Sequence, residues 1–345
     1  MSLRNEIFEQ PAVLERLLKT QGEAAVEIAS TVKKRQVKSV FIAARGSSDN
    51  AALYGKYLWG FLNRLPVGLA TPSLFTMYRT PPRLEGSLVV GISQSGESPD
   101  IVSVVKEGRR QGNLTLAITN EPSSPLAAEA ELLLETGAGE ERAVAATKTY
   151  TTQLAAIALL GAAAADAPDL FAALDRVPDL VKEALDLDDA IRVAAQRYRY
   201  MSQCVVLGRG FNYATAYEWS LKLKEMTYVV AEPYSSADFR HGPVAIVSDG
   251  FPVLAVLPAG AVFEDGMRLL ETLATEHRAE LLVLSNDDRA LALAKTPIRL
   301  PSDLPEWLSP LVSIVPAQLF CYHLTQAMGY DTESPRRLRK VTRTL

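Results

Sequence analysis

The segment Ser93-Gln94-Ser95-Gly96-Glu97-Ser98-Pro99-Asp100 crowds hydroxyls together directly after the apolar run 88–92. Ser98 reads as a helix N-cap and Pro99 as the first helical residue. A helix start offers unpaired N–H groups and the positive end of a dipole, to which serines add hydroxyl donors. The pattern is a phosphate cradle without a lysine, in which each charge-assisted bond contributes about 1.5–3 kcal/mol. An ordinary capped turn is the competing reading, and Glu97 and Asp100 oppose an anion unless they point away. A second hydroxyl-rich turn, Gly46-Ser47-Ser48-Asp49-Asn50, follows another short apolar run. A third, Ala146-Thr147-Lys148-Thr149-Tyr150-Thr151-Thr152, precedes an apolar helix. Three such clusters around the strand ends of one domain favour a small phosphorylated ligand.

Glu218, Lys222 and Glu225 share one helix face at i, i+4 and i+7. From spacing alone a solvent-exposed Glu–Lys pair is favoured. The functional reading is a carboxylate base beside an ammonium. Trp219, Leu223 and Met226 form the neighbouring apolar stripe and should face the core. His241 stands before Gly242-Pro243, a loop signal, and loops often carry functional side chains. His277 and His323 read as solvated and core residues. The basic run from Ser334 to Arg343 reads either as a nucleic-acid tail or as a flap that meets an anionic substrate. Gly208-Arg209-Gly210 lacks the third glycine of a dinucleotide fingerprint, so nicotinamide binding is set aside.

These residues need elements to hold them. Val40–Ala43, Leu88–Ile92 and Leu114–Ile118 are continuous apolar runs separated by helical patterns, which fits a buried parallel sheet. The pattern recurs: Phe41–Gly46 maps onto Val205–Gly210, and Leu88–Ser93 onto Pro252–Leu257, both shifted by 164 positions. Ser93–Ser98 is replaced in the second copy by Leu257-Pro258-Ala259-Gly260-Ala261-Val262, so if this loop binds a ligand, only the first copy does so through hydroxyls. The expected architecture is α/β, with two tandem doubly wound parallel-sheet domains. The expected divisions are an N-terminal helical segment 1–30 (its helix read over 8–30), a first domain 31–165, a helical linker 166–190, a second domain 191–330 and a C-terminal tail 331–345.

Composition narrows the class. Hydrophobic residues make up 48% and charged residues 22%, too apolar for a disordered chain. A net charge of −4 disfavours a general nucleic-acid binder. Cys204 and Cys321 lie in apolar contexts and read as core thiols of a reducing compartment. No Cys/His cluster suits zinc, and no metal or cofactor is expected. The N-terminus lacks the build of a signal peptide, and the apolar run 154–165 is too short to span a bilayer. A soluble, cytoplasmic protein is expected.

Ser93–Glu97, the stretch Glu218–Glu225, Arg240-His241-Gly242-Pro243 and the tail from Pro335 to Lys340 together resemble the double-SIS (sugar isomerase) family of phosphosugar isomerases and deaminases. They match the isomerase half of glutamine–fructose-6-phosphate amidotransferase, in order and over nearly the whole chain. The resemblance implies that Ser48, Ser93, Gln94, Ser95 and Ser98 hold a sugar phosphate, with Thr147 and the Val144 backbone near the sugar. It implies that Glu225 moves a proton between C1 and C2 with Lys222 nearby. His241 would open the pyranose ring from a neighbouring subunit, which implies a homodimer. Lys340 and Arg336 would sit in a closing tail, where the lysine engages a ketose carbonyl, and Glu141 matches a family active-site position. Ala146 departs from the family serine. The amidotransferase's glutaminase part, with its N-terminal cysteine, is not expected here, so ammonia would not come from glutamine.

The expected activity is glucosamine-6-phosphate deamination to fructose 6-phosphate and ammonia. The alternatives are another phosphosugar isomerase, a fructosamine-6-phosphate deglycase, or a non-catalytic phosphosugar sensor. The partner expected is a small sugar phosphate, not a nucleic acid or a membrane.

Overall fold

The computed structural model describes residues 2–338 and 340. The rest of the expected tail, 339 and 341–345, lies outside the described residues. Two compact units emerge. The first contains Glu9–Glu141, Ala146–Pro178 and Lys340, and the second contains residues 2–8, Arg142–Ala145 and Asp179–Leu338. The units interleave along the chain, where the sequence reading divides it into consecutive blocks.

The first unit carries a five-stranded, wholly parallel sheet. Its strands are β1 (Ser39–Ala43), β2 (Val67–Leu69), β3 (Ser87–Ser93), β4 (Leu114–Thr119) and β5 (Leu132–Glu135). Their spatial order is β2-β1-β3-β4-β5. Every residue of β3 and β4 is buried, as expected where helices cover both faces of a parallel sheet. The sequence expectation for these central strands holds. The expected helix over 8–30 is Gln10–Lys34, preceded by a short helix Leu3–Phe8. Pro11 sits in the first turn of the longer one, where its missing N–H is harmless. Lys33 and Lys34 complement its C-terminal dipole, so it runs past residue 30. It packs along Lys148–Ala165, a helix buried through most of its length.

The second unit repeats the plan with β6 (Gln203–Gly208), β7 (Val230–Ser235), β8 (Pro252–Val256), β9 (Glu280–Ser285) and β10 (Thr296–Arg299). Read from the β7 edge, its order is β7-β6-β8-β9-β10, again parallel throughout. The repeat read from the sequence is therefore a repeat of topology, with β6 and β8 standing where β1 and β3 stand. The helix Tyr213–Met226 packs against β7 and against Ser309–Ala327. The segment Glu306–Ala327 has the length and hydropathy of a membrane span, but 94% of its apolar window is buried. Cys204 and Cys321 are buried free thiols, and burial pushes both thiols up.

Each sheet changes winding direction between its first strand and the next interior one, and one ion pair spans that gap in each unit. Arg45, just after β1, donates from Nε to the fully buried carboxylate of Asp100 at 2.7 Å. Asp100 lies in the helix Pro99–Arg110 that follows β3. In the second unit Arg209, just after β6, pairs with Asp265 in the helix Phe263–Thr275 that follows β8. Arg45→Ala leaves the Asp100 carboxylate buried without its cation. Because Arg45 is half exposed, the expected loss is about 1–2 kcal/mol, read as a lower denaturation midpoint at unchanged m. An unchanged midpoint would remove the clasp from the stability account.

Candidate active site

Two hydroxyl turns leave the carboxyl ends of β1 and β3, the adjacent strands at the switch point, where open α/β sheets bind ligands. After β1, Gly46 adopts φ +56° and the helix Ser47–Asn63 begins. After β3, the loop 93–98 leads into Pro99–Arg110. Ser48 and Ser93 are buried, whereas Gln94, Ser95 and Ser98 are half-buried. Ser98 is the N-cap residue, as the sequence indicates, yet its hydroxyl makes no cap bond. The N-termini at Gly46 and Thr147 likewise have no side-chain cap bond, while Ser124 and Ser235 cap theirs. Uncapped helix starts carrying hydroxyls suit an anionic ligand.

The loop is rigidly held from within the unit. The Gly96 amide donates to Ser93 Oγ at 3.1 Å, and the Thr119 hydroxyl donates to the Gln94 carbonyl at 3.3 Å. Gly96 has φ +63°, and a Cβ there would stand 2.1 Å from Ser124 Oγ. Only glycine fits both the conformation and the space. The two carboxylates that opposed an anion resolve differently. Asp100 is neutralised by Arg45, and Glu97 is exposed.

Glu141 gathers the third hydroxyl stretch. Its side chain has no exposed surface, and it accepts from the Thr147 amide at 2.9 Å, the Thr149 amide at 3.1 Å and the Thr149 hydroxyl at 2.7 Å. Lys340 Nζ completes the shell at 2.5 Å, so the tail lysine docks on a buried carboxylate. The Thr147 hydroxyl, expected near a sugar, points to the same carboxylate at 3.4 Å. Lys148 is buried and reaches Glu9 Oε2 and the Glu140 carbonyl, both at 2.6 Å, tying this stretch to the helix Gln10–Lys34 at its start.

In the second unit, Glu218, Lys222 and Glu225 lie on the helix Tyr213–Met226. The solvent-exposed pair favoured by spacing is not found. Glu218 is wholly buried and Lys222 is 2% exposed, because β7 and Ser309–Ala327 cover this helix. Lys222 Nζ sits 2.5 Å from Glu225 Oε2 and 3.4 Å from Glu218 Oε1. Glu225 keeps 24% of its side chain exposed. A carboxylate fixed by a buried ammonium yet open to solvent is equipped to take and return a proton. Trp219, Leu223 and Met226 are buried, as the apolar stripe indicates. Val144 lies in the strap Arg142–Ala145, whose amides at 142 and 143 donate to the buried carboxylate of Glu6 at 2.6 and 3.2 Å.

His241 is exposed in the turn after Ser236–Phe239, its amide donating to the Asp238 carbonyl at 3.0 Å. Arg336 is exposed with its guanidinium over the rings of Tyr228 and Tyr330, at 4.5 and 5.1 Å from their centroids. Its amide donates to Tyr228 Oη at 2.9 Å. Those tyrosines line a cleft of about 640 Å³ that also includes Arg199 and Tyr200. His323 is buried against Asp188 at 2.6 Å, as its core reading expects, whereas His277, read as solvated, is half-buried with Nδ1 3.4 Å from the Val247 carbonyl. Among the described residues no group of three or more His, Cys, Asp or Glu side chains is arranged to hold a metal. Arg45 and Gln153 were not singled out from sequence, because each acts on a partner far away in the chain.

Burial pushes the Glu141 carboxyl up, but the Lys340 ammonium, its hydrogen bond, the Thr149 hydroxyl and the Thr147 amide outweigh it and hold the group below 4.5. The folded value is depressed, so the stabilisation is complete above 4.5 and is lost as pH falls through the lowered value. Wild type should therefore exceed Glu141→Gln by about 1–3 kcal/mol at neutral pH in denaturation experiments. That gap should persist down to 4.5 and close only below it. A gap that closes at higher pH would show that Glu141 is not held ionised.

Comparison with known proteins places this geometry. The SIS domain family matches residues 35–163 and 200–328. The chain is 35% identical to the glutamine–fructose-6-phosphate aminotransferase [isomerizing] of Thermus thermophilus, over 97% of this chain and 57% of that protein. It thus spans little more than half the length of the curated relatives it matches. The C-terminal domain of glucosamine-fructose-6-phosphate aminotransferase from Francisella tularensis superimposes with TM-score 0.87 at 29% identity, covering 96% of this chain and 98% of that one. Glucosamine-6-phosphate deaminase from Thermotoga maritima gives TM-score 0.79 at 22% identity over the full length of both chains, a likeness of fold alone. With one match on each parallel sheet, the chain belongs to the SIS family, as a tandem of two SIS domains.

Proposed function

We propose that this chain acts on a hexose phosphate by proton transfer between C1 and C2. The reading taken is deamination of glucosamine 6-phosphate to fructose 6-phosphate and ammonia. The observation that carries it is Glu225, partly exposed and fixed at 2.5 Å by the buried Lys222 ammonium. A sensor has no use for a base so positioned. The relatives named as isomerizing aminotransferases support the substrate class.

Ser48, Ser93, Gln94, Ser95 and Ser98 bind the phosphate. His241 assists ring opening to the aldehyde. Glu225 takes the C2 proton, the C2–H electron pair makes the C1–C2 double bond, and the C1 carbonyl pair becomes a hydroxyl that takes a proton from water, giving an enolamine. Return of the proton to C1 gives an imine at C2. Water adds to that imine and ammonia leaves, so glucosamine 6-phosphate plus water balances fructose 6-phosphate plus ammonia. A positioned carboxylate of this kind contributes about 10²–10⁴-fold. Lys340, now on Glu141, is the tail group proposed to engage the open-chain carbonyl, and Arg336 steadies the tail. Another phosphosugar isomerase or a fructosamine-6-phosphate deglycase would use the same groups, and a substrate panel separates them.

Purified protein with glucosamine 6-phosphate should release ammonia and fructose 6-phosphate in equal amounts. Glu225→Gln should abolish turnover while leaving fructose 6-phosphate affinity within a few fold, and equal loss of both would make the carboxylate structural. The proposed homodimer places His241 in the neighbouring subunit's reaction, which its exposure on its own chain supports. Mixed dimers of His241→Ala and Glu225→Gln chains should then regain activity that neither parent has. No recovery in verified mixed dimers would mean that His241 serves its own chain.

A further inference from the structure

Ser48 is one of the hydroxyls assigned to the phosphate, and it is not alone. Gln153, from the second turn of Lys148–Ala165, directs its side-chain amide Nε2 at Ser48 Oγ, 3.0 Å away. Both side chains are buried, Gln153 at 2% and Ser48 at 8% exposure. The other end of the amide, Oε1, is buried with no hydrogen-bond partner among the described residues. Burying an acceptor unpaired costs about 1–3 kcal/mol, so the amide is not there for its own sake. The reverse orientation would aim both N–H donors at the place where Oε1 now finds no partner, and would pair neither of them.

We propose that Gln153 is a positioning residue that makes Ser48 a phosphate donor. A serine hydroxyl has one hydrogen and two lone pairs. The Gln153 amide occupies one lone pair, so the oxygen acts as acceptor toward the protein interior and its hydrogen is directed away from Gln153. An accepted hydrogen bond also polarises the hydroxyl and strengthens the bond that it donates. The anion thus meets a proton already turned outward, with no rotor to freeze on binding. The orphaned Oε1 is the cost of this orientation. This inference rests on the proposed phosphate site.

The test uses the full chain, with fructose 6-phosphate and inorganic phosphate as titrants in calorimetry. Gln153→Leu keeps the side chain's bulk and removes its donor. Affinity for both titrants should fall about ten- to a hundred-fold, the effect of a hydrogen bond to a charged group. In the Ser48→Ala background the same change should have no further effect, because Gln153 acts only through that hydroxyl. Additive losses, or unchanged affinity in Gln153→Leu, would overturn the proposal while leaving the phosphate site standing. Wild type that binds neither titrant would overturn both. Should Gln153→Leu fail to fold, Gln153→Glu replaces it. Its carboxylate accepts from Ser48 in place of donating, so phosphate binding should be lost at neutral pH and recover as acid protonates the new group. Affinity that is equal to wild type at neutral pH would sink the assignment.

Discussion

A parallel sheet whose first strand lies in its interior must send successive crossovers to opposite faces, because each crossover is right-handed. Between β1 and β3 the chain therefore departs in two directions, and a gap opens at the carboxyl edge that no backbone fills. In this protein the gap is spanned by one ion pair, Arg45 with Asp100, and edged by the turns carrying Ser48 and Ser93–Ser98. The same constraint brings the starts of two helices, with their unpaired N–H groups, to one place. Serine supplies donors there without adding charge, which leaves the fixed charges of the unit free to pair with one another.

Those pairings decide what the buried groups can do. Glu141 survives without exposure because amides, a hydroxyl and Lys340 surround it. Lys222 survives because Glu218 and Glu225 both face it. Neither cluster is a stability device in itself, since apolar replacements of similar volume often fold as well. What a buried ammonium supplies is a fixed place for a carboxylate. Glu225 would otherwise be a flexible surface side chain, and a base that must be caught in the right rotamer is a poor base.

The fold was largely legible because its signals are local and repeated. Strands such as Leu88–Ile92 are apolar throughout, and a register kept over 164 positions identifies the duplication without any tertiary knowledge. The loop 93–98 and its Ser98–Pro99 helix start were legible for the same reason, since a capping position is set by neighbours in sequence. The burial of Lys222 was not, because Glu218-to-Glu225 spacing is the same on a solvated helix, and only packing by β7 and Ser309–Ala327 distinguishes the two. Nor was the Ser48–Gln153 bond, whose partners stand 105 residues apart. Interleaving of the units escaped for a like reason, because residues 2–8 reach the second unit through Leu3 with Glu333 and Arg4 with Asp188 and hold 142–145 through Glu6, contacts that no local pattern announces.

Duplication supplies a control that a single domain would lack. Both units retain the arginine after the first strand and the aspartate in the helix after the next interior strand, Arg45 with Asp100 and Arg209 with Asp265. Only the first retains hydroxyls in the loop between strand and helix, while the second carries Leu257 to Val262. The clasp is thus common to two sheets that differ in this loop chemistry, which assigns it to the topology. The serines vary while the topology does not, so the fold itself does not require them. In the second unit the aspartate has gained Arg240 and Arg268 as well, so that its carboxylate is enclosed by guanidinium groups. Arg240, the residue before His241, thereby ties that turn to the helix Phe263–Thr275.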